Sequence, residues 1–355
     1  MKKNIMFVMN QMTPGGAERV VSILANKMSE MEHNVSLVIT FDSEISYELN
    51  EKINLIEFNI SRDSGQVSRN LVEIRKLIDT FKKEKPDVII SFIRNVNCII
   101  AAKIVGIPII ISERNNPKYD PKSKLWRILR ILVYPYADGI VFQTEGAKSY
   151  FSKRIQSKSC IIKNPLSEKI PTKKSTDLKN KIISVGRLCE QKNQQVLIKA
   201  FGQFHEKYPE YKLEIYGEGN LRQDLEKMTR ELGLENYITM PGNTNKVYDK
   251  IINSDVFVLS SIYEGYPNVL IEAMSIGMPV ISTDCEYGPK EIIRNHENGI
   301  LVSKMDFEKL ADELCNIVSN KDLRVKLGEN AKKIRESLKV DKIVNEWMEY
   351  ILKVI

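Results

Sequence analysis

Glu264-Gly-Tyr-Pro-Asn-Val-Leu-Ile-Glu272, followed by Gly277-Met-Pro-Val-Ile-Ser-Thr-Asp284, sets the reading of the fold. Pro267 marks a helix start, because its fixed φ suits the first turn and its missing N–H has no partner to lose there. Gly277 marks the stop, since a left-handed cap favours glycine. The run 279–283 is rich in β-branched residues and reads as a buried strand. Loop, helix, glycine stop and strand form one step of an α/β fold. The same segment places Glu264 on the loop and Glu272 on the helix that follows, eight residues apart. Two carboxylates set this way can hold polyhydroxylated material by accepting hydrogen bonds.

The alternation extends in both directions. In the first half, strand patterns lie at 4–9, 35–40, 53–58, 87–92, 108–112, 139–143 and 159–163, with helical patterns at 16–31, 67–84, 95–105, 122–136 and 145–152. Residues 164–181 are polar, carry Pro165 and Pro171, and lack periodicity, which suggests a linker. The pattern then restarts, with strands at 181–186, 211–216, 236–240, 255–260, 279–283 and 299–302. Helices follow at 193–206, 219–232, 244–252, 268–276, 288–294, 306–318 and 320–337, and a last amphipathic helix spans 340–354. Repeated βαβ units imply two doubly wound, Rossmann-like α/β domains. The expected division is 1–166, 167–339 and a C-terminal helix 340–355 packing back on the first domain. Ligands of such sheets bind at the C-terminal strand ends, so a cleft between those ends is the expected site.

Charge is unevenly shared. Residues 1–166 hold 25 Lys and Arg against 17 Asp and Glu, a net of +8, whereas residues 167–355 hold 28 against 29. An anionic partner for the first half fits this asymmetry, and so does a solvated basic surface. Five scattered cysteines without a Cys-x-x-Cys pair indicate a reducing, cytoplasmic setting. The apolar run Ile5 to Met9 is too short for a signal peptide, and Lys103 and Pro108 break the longest apolar region, so no membrane span is expected. The three histidines (His33, His205, His296) stand apart, and there is no Asp-x-Asp motif, so no metal site is expected.

Several loops carry candidate chemistry. Gln11 to Arg19 contains Gly15-Gly16 between a strand and a helix, where a ligand can approach the backbone and the helix N-terminus favours an anion. It lacks the Gly-x-Gly-x-x-Gly spacing of hydride-transfer enzymes. Gly186-Arg187 and Lys192 stand at the same place in the second half, and two cations there suit a diphosphate. Gly217-Glu218-Gly219 ends the next strand, 211–216. Ser112-Glu113-Arg114-Asn115 forms a polar cluster after strand 108–112. Beyond it, Lys118, Lys122, Lys124, Arg127 and Arg130 interleave with Leu125, Trp126, Ile128, Leu129 and Leu132. That helix suits an anionic bilayer, and it suits equally a packed helix with a solvated basic face.

Together these residues resemble the retaining, GT-B-fold glycosyltransferases of family 4. The resemblance rests on Gly15-Gly16-Ala17-Glu18-Arg19, Gly186-Arg187 with Lys192, Gly217-Glu218-Gly219, Glu264 with Glu272, and Gly288-Pro289-x-Glu291, and it spans nearly the whole chain. Ser112 to Asn115 and Thr283 to Pro289 are similar to bacterial enzymes that extend lipid-linked glycans for capsule, exopolysaccharide, O-antigen or N-glycan synthesis. The resemblance implies that Arg187 and Lys192 stabilise the leaving diphosphate of a nucleotide-sugar, a UDP-sugar by preference. It implies that Glu264 holds hydroxyls of the transferred sugar and Glu272 the ribose. It further implies that Gly16, Gly217, Glu218 and the stretch Tyr266, Pro267, Asn268, Val269 contact the donor. Glu113, Arg114 and Asn115 would face the acceptor, a polyprenyl-diphosphate-linked glycan, with Arg114 standing where many relatives have His. The family's chemistry implies metal-free, front-face transfer by a peripheral enzyme at the inner face of the cell membrane. A UDP-sugar 2-epimerase on the same fold and a two-domain sugar-binding protein are the alternatives.

Overall fold

The computed structural model describes residues 1–355 except 14, 62, 64, 94 and 173–176. Pro14 of the first glycine loop and part of the expected linker therefore lie outside the described residues. The chain divides into two compact units, Met1–Ser167 with Leu338–Ile355, and Glu168–Ser337.

The first unit contains β1 (Asn4–Met9), α1 (Gly16–Glu30), β2 (Asn34–Phe41), β3 (Asn54–Ile60), α2 (Gln66–Glu84), β4 (Val88–Ser91), α3 (Asn95–Val105) and β5 (Ile109–Ser112). It continues with α4 (Lys124–Val133), β6 (Gly139–Phe142), α5 (Glu145–Ser149), α6 (Lys153–Gln156) and β7 (Ser159–Ile161). All seven strands are parallel, in the order β3-β2-β1-β4-β5-β6-β7. Strands β4, β5 and β6 are short and buried at every residue, which is why they read as apolar runs without alternation. The predicted helix 122–136 starts at Lys124 and tightens into a 3-10 turn at Tyr134–Tyr136, where Pro135 offers no N–H. Helix α5 takes up only residues 145–149 of the predicted helix 145–152, and α6 begins beyond it with Ser152 at its N-cap position.

The second unit contains β8 (Lys181–Val185), α7 (Gln194–Lys207), β9 (Lys212–Tyr216), α8 (Arg222–Glu231), β10 (Ile238–Gly242), α9 (Val247–Ile252), β11 (Val256–Leu259) and α10 (Asn268–Ile276). Then come β12 (Val280–Thr283), α11 (Pro289–Ile292), β13 (Ile300–Val302), α12 (Phe307–Ser319), α13 (Lys321–Lys332) and α14 (Ile334–Ser337). Its six strands are parallel in the order β10-β9-β8-β11-β12-β13. Gly277 caps α10 at φ 94°, the left-handed stop that its sequence position suggested. The described residues at the two ends of the segment before β8 are anchored. Arg335 Nη2 donates to Ile170 O at 2.6 Å, and Asp255 accepts from the backbone N–H groups of Lys179 and Lys181.

The last helix, α15 (Val340–Val354), belongs to the first unit and packs on α1. Its buried face carries Val340, Ile343, Val344, Trp347, Met348 and Ile351 at helical spacing. Trp347 stacks on Phe92 with ring centroids 5.8 Å apart. Tyr350 Oη accepts from Ile140 N–H at 2.9 Å and donates to Lys158 O at 2.6 Å, tying the helix to the sheet edge. Among the described residues no helix is long and apolar enough to cross a membrane. Trp347 is wholly buried, so Trp347→Ala should lower the stability of the first unit by about 3–5 kcal/mol. A fall in the urea midpoint followed by near-ultraviolet circular dichroism would report it.

Candidate active site

Each sheet reverses its strand order once, between β1 and β4 in the first unit and between β8 and β11 in the second. Connections leave on opposite faces at such a point, and α/β sheets bind ligands outside the carboxyl ends of the strands there. The loops that follow β8 and β11 carry Arg187, Lys192 and Glu264.

Lys192 Nζ lies 2.6 Å from Glu264 Oε1, and Ser261 Oγ donates to the same oxygen at 2.6 Å. The two side chains are only 15% and 7% exposed, so the pair is screened little by water. The loops are also joined through the backbone. Ile262 N–H donates to Gln191 O at 2.8 Å, Gln191 Nε2 to Tyr263 O at 3.0 Å, and Ser260 Oγ to Lys192 O at 2.8 Å. Ser261 O in turn accepts from Thr283 Oγ1 and from Cys285 Sγ. Arg187 stays exposed, with Nη2 3.1 Å from Gln191 Oε1. Two cations and one carboxylate thus share one hydrogen-bonded scaffold.

Glycine lets the neighbouring loops close on this scaffold. The Lys192 stem crosses Gly186, where a Cβ would come 3.3 Å from its Cε. Gly217 has φ 134°, and a Cβ there would lie 2.1 Å from Gly186 O. Only glycine permits that approach. Glu218, beside it, is half-exposed and gripped by Arg222 at 2.6 and 2.8 Å, which holds its carboxyl below the usual range. Gly288 at φ 73° would place a Cβ 2.6 Å from Gly265 O, so the Gly288-Pro289 turn rests on the Glu264 loop. Helix α10 opens directly after Pro267 with no side-chain cap. Tyr266 is buried beside its start, Asn268 and Val269 are half-buried in its first turn, and Glu272 is buried one turn further. A helix start of this kind attracts negative charge. Among the described residues no three His, Cys, Asp or Glu side chains gather as metal ligands.

The first unit is organised differently from its sequence expectation. Tyr47 Oη bridges Gly15 N–H and O at 2.9 and 2.8 Å, and α1 opens at Gly16. The Glu18 carboxylate folds back over Gly15 and takes the Ala17 and Glu18 N–H groups, while burial raises its pKa. The chain's own acid therefore occupies the start of α1. Of the three acceptor-side candidates, only Asn115 is exposed, and it donates to Asp120 Oδ2 at 3.2 Å. Glu113 is buried, accepting from Tyr134 Oη at 3.0 Å with Arg130 Nη1 3.6 Å away. Asn95 extends this cluster, donating to Tyr134 Oη at 2.9 Å and accepting from Ser91 Oγ at 2.9 Å. Arg114 stacks on Phe92 at 4.0 Å and donates to Asn164 at 2.6 Å, and desolvation brings its pKa down to about 9. Tyr134, Asn95, Asn164 and Ser261 carry no motif signal. Tyr134 lies 21 residues from Glu113, Asn95 39 from Tyr134 and Asn164 50 from Arg114, whereas Ser261 stands three residues before Glu264.

Burial pushes the Glu113 carboxyl up to about 7, against the pull of Arg130. A carboxyl whose folded value exceeds its unfolded value weakens the fold as pH rises from about 4.5 to about 7. Glu113→Gln should remove that loss. Beyond a pH-independent offset from the altered Arg130 contact, the variant should gain on the order of 2–3 kcal/mol over wild type between pH 5 and pH 8. Urea unfolding across that range measures it.

Both halves of the chain match known families. Residues 14–168 match the family described as Glycosyltransferase Family 4, and residues 167–334 match Glycosyl transferases group 1. The chain is 31% identical, over 99% of its length and 98% of the relative's, to the GalNAc-α-(1→4)-GalNAc-α-(1→3)-diNAcBac-PP-undecaprenol α-1,4-N-acetyl-D-galactosaminyltransferase of Campylobacter jejuni. It is 30% identical, over 95% of its length and 96% of the relative's, to the N-acetylgalactosamine-N,N'-diacetylbacillosaminyl-diphospho-undecaprenol 4-α-N-acetylgalactosaminyltransferase of the same organism. The crystal structure of Anabaena Alr3699/HepE in complex with UDP and glucose superposes with a TM-score of 0.84 at 18% identity, covering 98% of each chain, which speaks to the fold alone. The curated relatives are transferases and do not favour the epimerase alternative. Two parallel sheets, a cation pair at the β8–β11 switch point and this full-length likeness lead to one conclusion: the chain belongs to glycosyltransferase family 4 and is a glycosyltransferase of the two-domain GT-B fold.

Proposed function

We propose that the protein transfers a sugar from a UDP-sugar to a polyprenyl-diphosphate-linked glycan, with retention of anomeric configuration and without a metal. The observation that carries this reading is the Lys192–Glu264 pair, joined through Gln191 to Arg187, at the β8–β11 switch point. As the donor's glycosidic bond breaks, charge grows on the departing diphosphate. Arg187 can grip it through two N–H groups, and Lys192 adds a fixed point charge. The start of α10 adds the partial charge of its backbone N–H groups.

Glu264 has a second task. Lys192 and Ser261 both meet Oε1, and no hydrogen bond to Oε2 is seen among the described residues. That oxygen is left to accept from a hydroxyl of the transferred sugar, while Glu272, one turn along α10, takes the ribose. Tyr266 to Val269, Gly217 and Glu218 border the donor in the second unit. In the front-face route that the family resemblance implies, the acceptor hydroxyl attacks the face that the diphosphate leaves, and a phosphate oxygen takes its proton. The acceptor class is drawn from the undecaprenol-linked substrates in the names of the Campylobacter relatives. Such an acceptor sits in a bilayer, so this reading has the protein work peripherally at the inner face of the cell membrane. The +8 balance of residues 1–166 supports that location.

Incubation of UDP-sugars with a short-prenyl diphosphate glycan in EDTA tests the reading. The expected product keeps the donor's anomeric configuration, seen in the anomeric proton coupling by NMR. Lys192→Ala should lower kcat by about 10²–10³-fold. An inverted product, or transfer abolished by EDTA, would overturn the corresponding part of the mechanism.

A further inference from the structure

A third lysine, Lys304, stands beside the Lys192–Glu264 pair. Strands β12 and β13 pair Thr283 with Val302, and Asp284 N–H continues the ladder by donating to Val302 O at 2.7 Å. Side chains alternate along paired strands, so Cys285 and Lys304 come next on the face of Thr283 and Val302. Helix α7 covers that face, since Ile281, Ile300 and Val302 share one apolar cluster with Val196 and Leu197. Lys192 lies just before α7, so both lysines rise at the same corner. Asn193 joins the two segments: its Nδ2 donates to Lys304 O at 3.3 Å and lies 3.7 Å from Met305 Sδ. From the other side, Cys285 Sγ donates to Ser261 O at 3.0 Å, and Ser261 Oγ to Glu264. Burial pushes the Cys285 thiol up to about 12, and the charges of Glu264, Lys304 and Lys192 all reach it.

The base of the Lys304 side chain is fixed. Asp306 N–H donates to Ser303 O at 3.2 Å, and the Asp306 carboxylate caps α12 by accepting from Lys309 N–H at 2.8 Å. Lys304 is half-buried, yet among the described residues its ammonium has no hydrogen bond and no ion pair. The neighbouring acids are turned to other partners: Glu264 to Lys192 and Ser261, Asp284 to Lys290 at 3.9 Å, and Asp306 to its own helix. A lysine of this kind can be a solvated surface charge. Here it adds to Arg187 and Lys192, and Glu264 is the one buried carboxylate among the described residues of the loops after β8, β11, β12 and β13. Surplus positive charge on one side of a site suits a ligand with more than one negative oxygen. An ammonium on a flexible stem supplies three donors and can follow such an oxygen without a fixed angle.

We propose that Lys304 is a third cation of the donor site and binds an anionic oxygen of the nucleotide-sugar, either on its diphosphate or on a carboxylate of the transferred sugar. The inference rests on the UDP-sugar reading and extends that site to β13, a strand outside the β8–β11 switch point.

Calorimetric titration of pyrophosphate, UDP, UDP-glucose and UDP-glucuronate into the whole chain, as wild type, Lys304→Met and Lys304→Arg, tests it. Methionine keeps the apolar stem, and arginine keeps the charge. Loss of one charge-assisted hydrogen bond should weaken binding by about fivefold or more. With the diphosphate as partner, Lys304→Met loses that factor for all four ligands. With a sugar carboxylate as partner, the loss is confined to UDP-glucuronate. Lys304→Arg should recover most of the affinity. Lys290→Met, which removes a charge next to Asp284, should leave all four affinities unchanged. Affinities unchanged in Lys304→Met would overturn the proposal. An equal loss in Lys290→Met would overturn it too, by reducing the effect to the general field. Wild type that binds pyrophosphate but no uridine nucleotide, with the Lys304→Met loss intact, would count against the UDP-sugar reading and leave the cation site standing.

Discussion

Lys192 and Glu264 meet at 2.6 Å with most of both side chains withdrawn from water, and the geometry of the second unit's switch point depends on that contact. Removing charges from water is costly, and a buried pair is tolerable when geometry and additional hydrogen bonds compensate. Ser261 supplies one such bond, and its own carbonyl is held by Thr283 and Cys285 from the end of β12. The ammonium therefore points where the carboxylate directs it before any ligand arrives. Preorganised charge of this kind needs little rearrangement as a diphosphate departs, which is the condition for large electrostatic stabilisation.

Backbone packing keeps the scaffold in place. Gly217 and Gly288 bring adjoining loops within distances that any side chain would violate, and a Cβ at Gly186 would press on the Lys192 stem. The first unit repeats the sheet order but spends its switch point otherwise. Glu18 covers the start of α1, and the polar network of Ser91, Asn95, Tyr134, Glu113 and Arg130 is drawn inside. Trp347 and Tyr350 fasten α15 across this unit, so the last residues of the chain complete its core. Arg114 lies against the Phe92 ring that Trp347 also stacks on, which links the segment after β5 to the C-terminal helix.

Much of this was legible in the sequence where one residue's chemistry determines local geometry. Pro267 and Gly277 bracketed α10, and the apolar runs of the central strands marked both sheets. Arg187, Lys192 and Glu264 stood out because each follows a strand. Side-chain direction was less legible, because it depends on contacts distant in sequence. Arg130 looked like one member of a solvated basic face until Pro117, Asp120 and Phe151 were seen to enclose it. Glu113 and Arg114 looked like presented polar groups, yet Tyr134 and Asn164 draw them inward from 21 and 50 residues away. Helix breaks at Ser152 and after Lys332 were not legible either, because periodicity alone does not encode them.

The central claim is that a lysine oriented by Glu264 reads the donor's diphosphate. Calorimetric titration of UDP and of uridine into wild type and Lys192→Ala, in EDTA, tests it most directly. The account predicts at least a tenfold loss of UDP affinity in the variant, about 1.4 kcal/mol, with uridine binding unchanged. Equal losses for both ligands, or no loss for UDP, would contradict it.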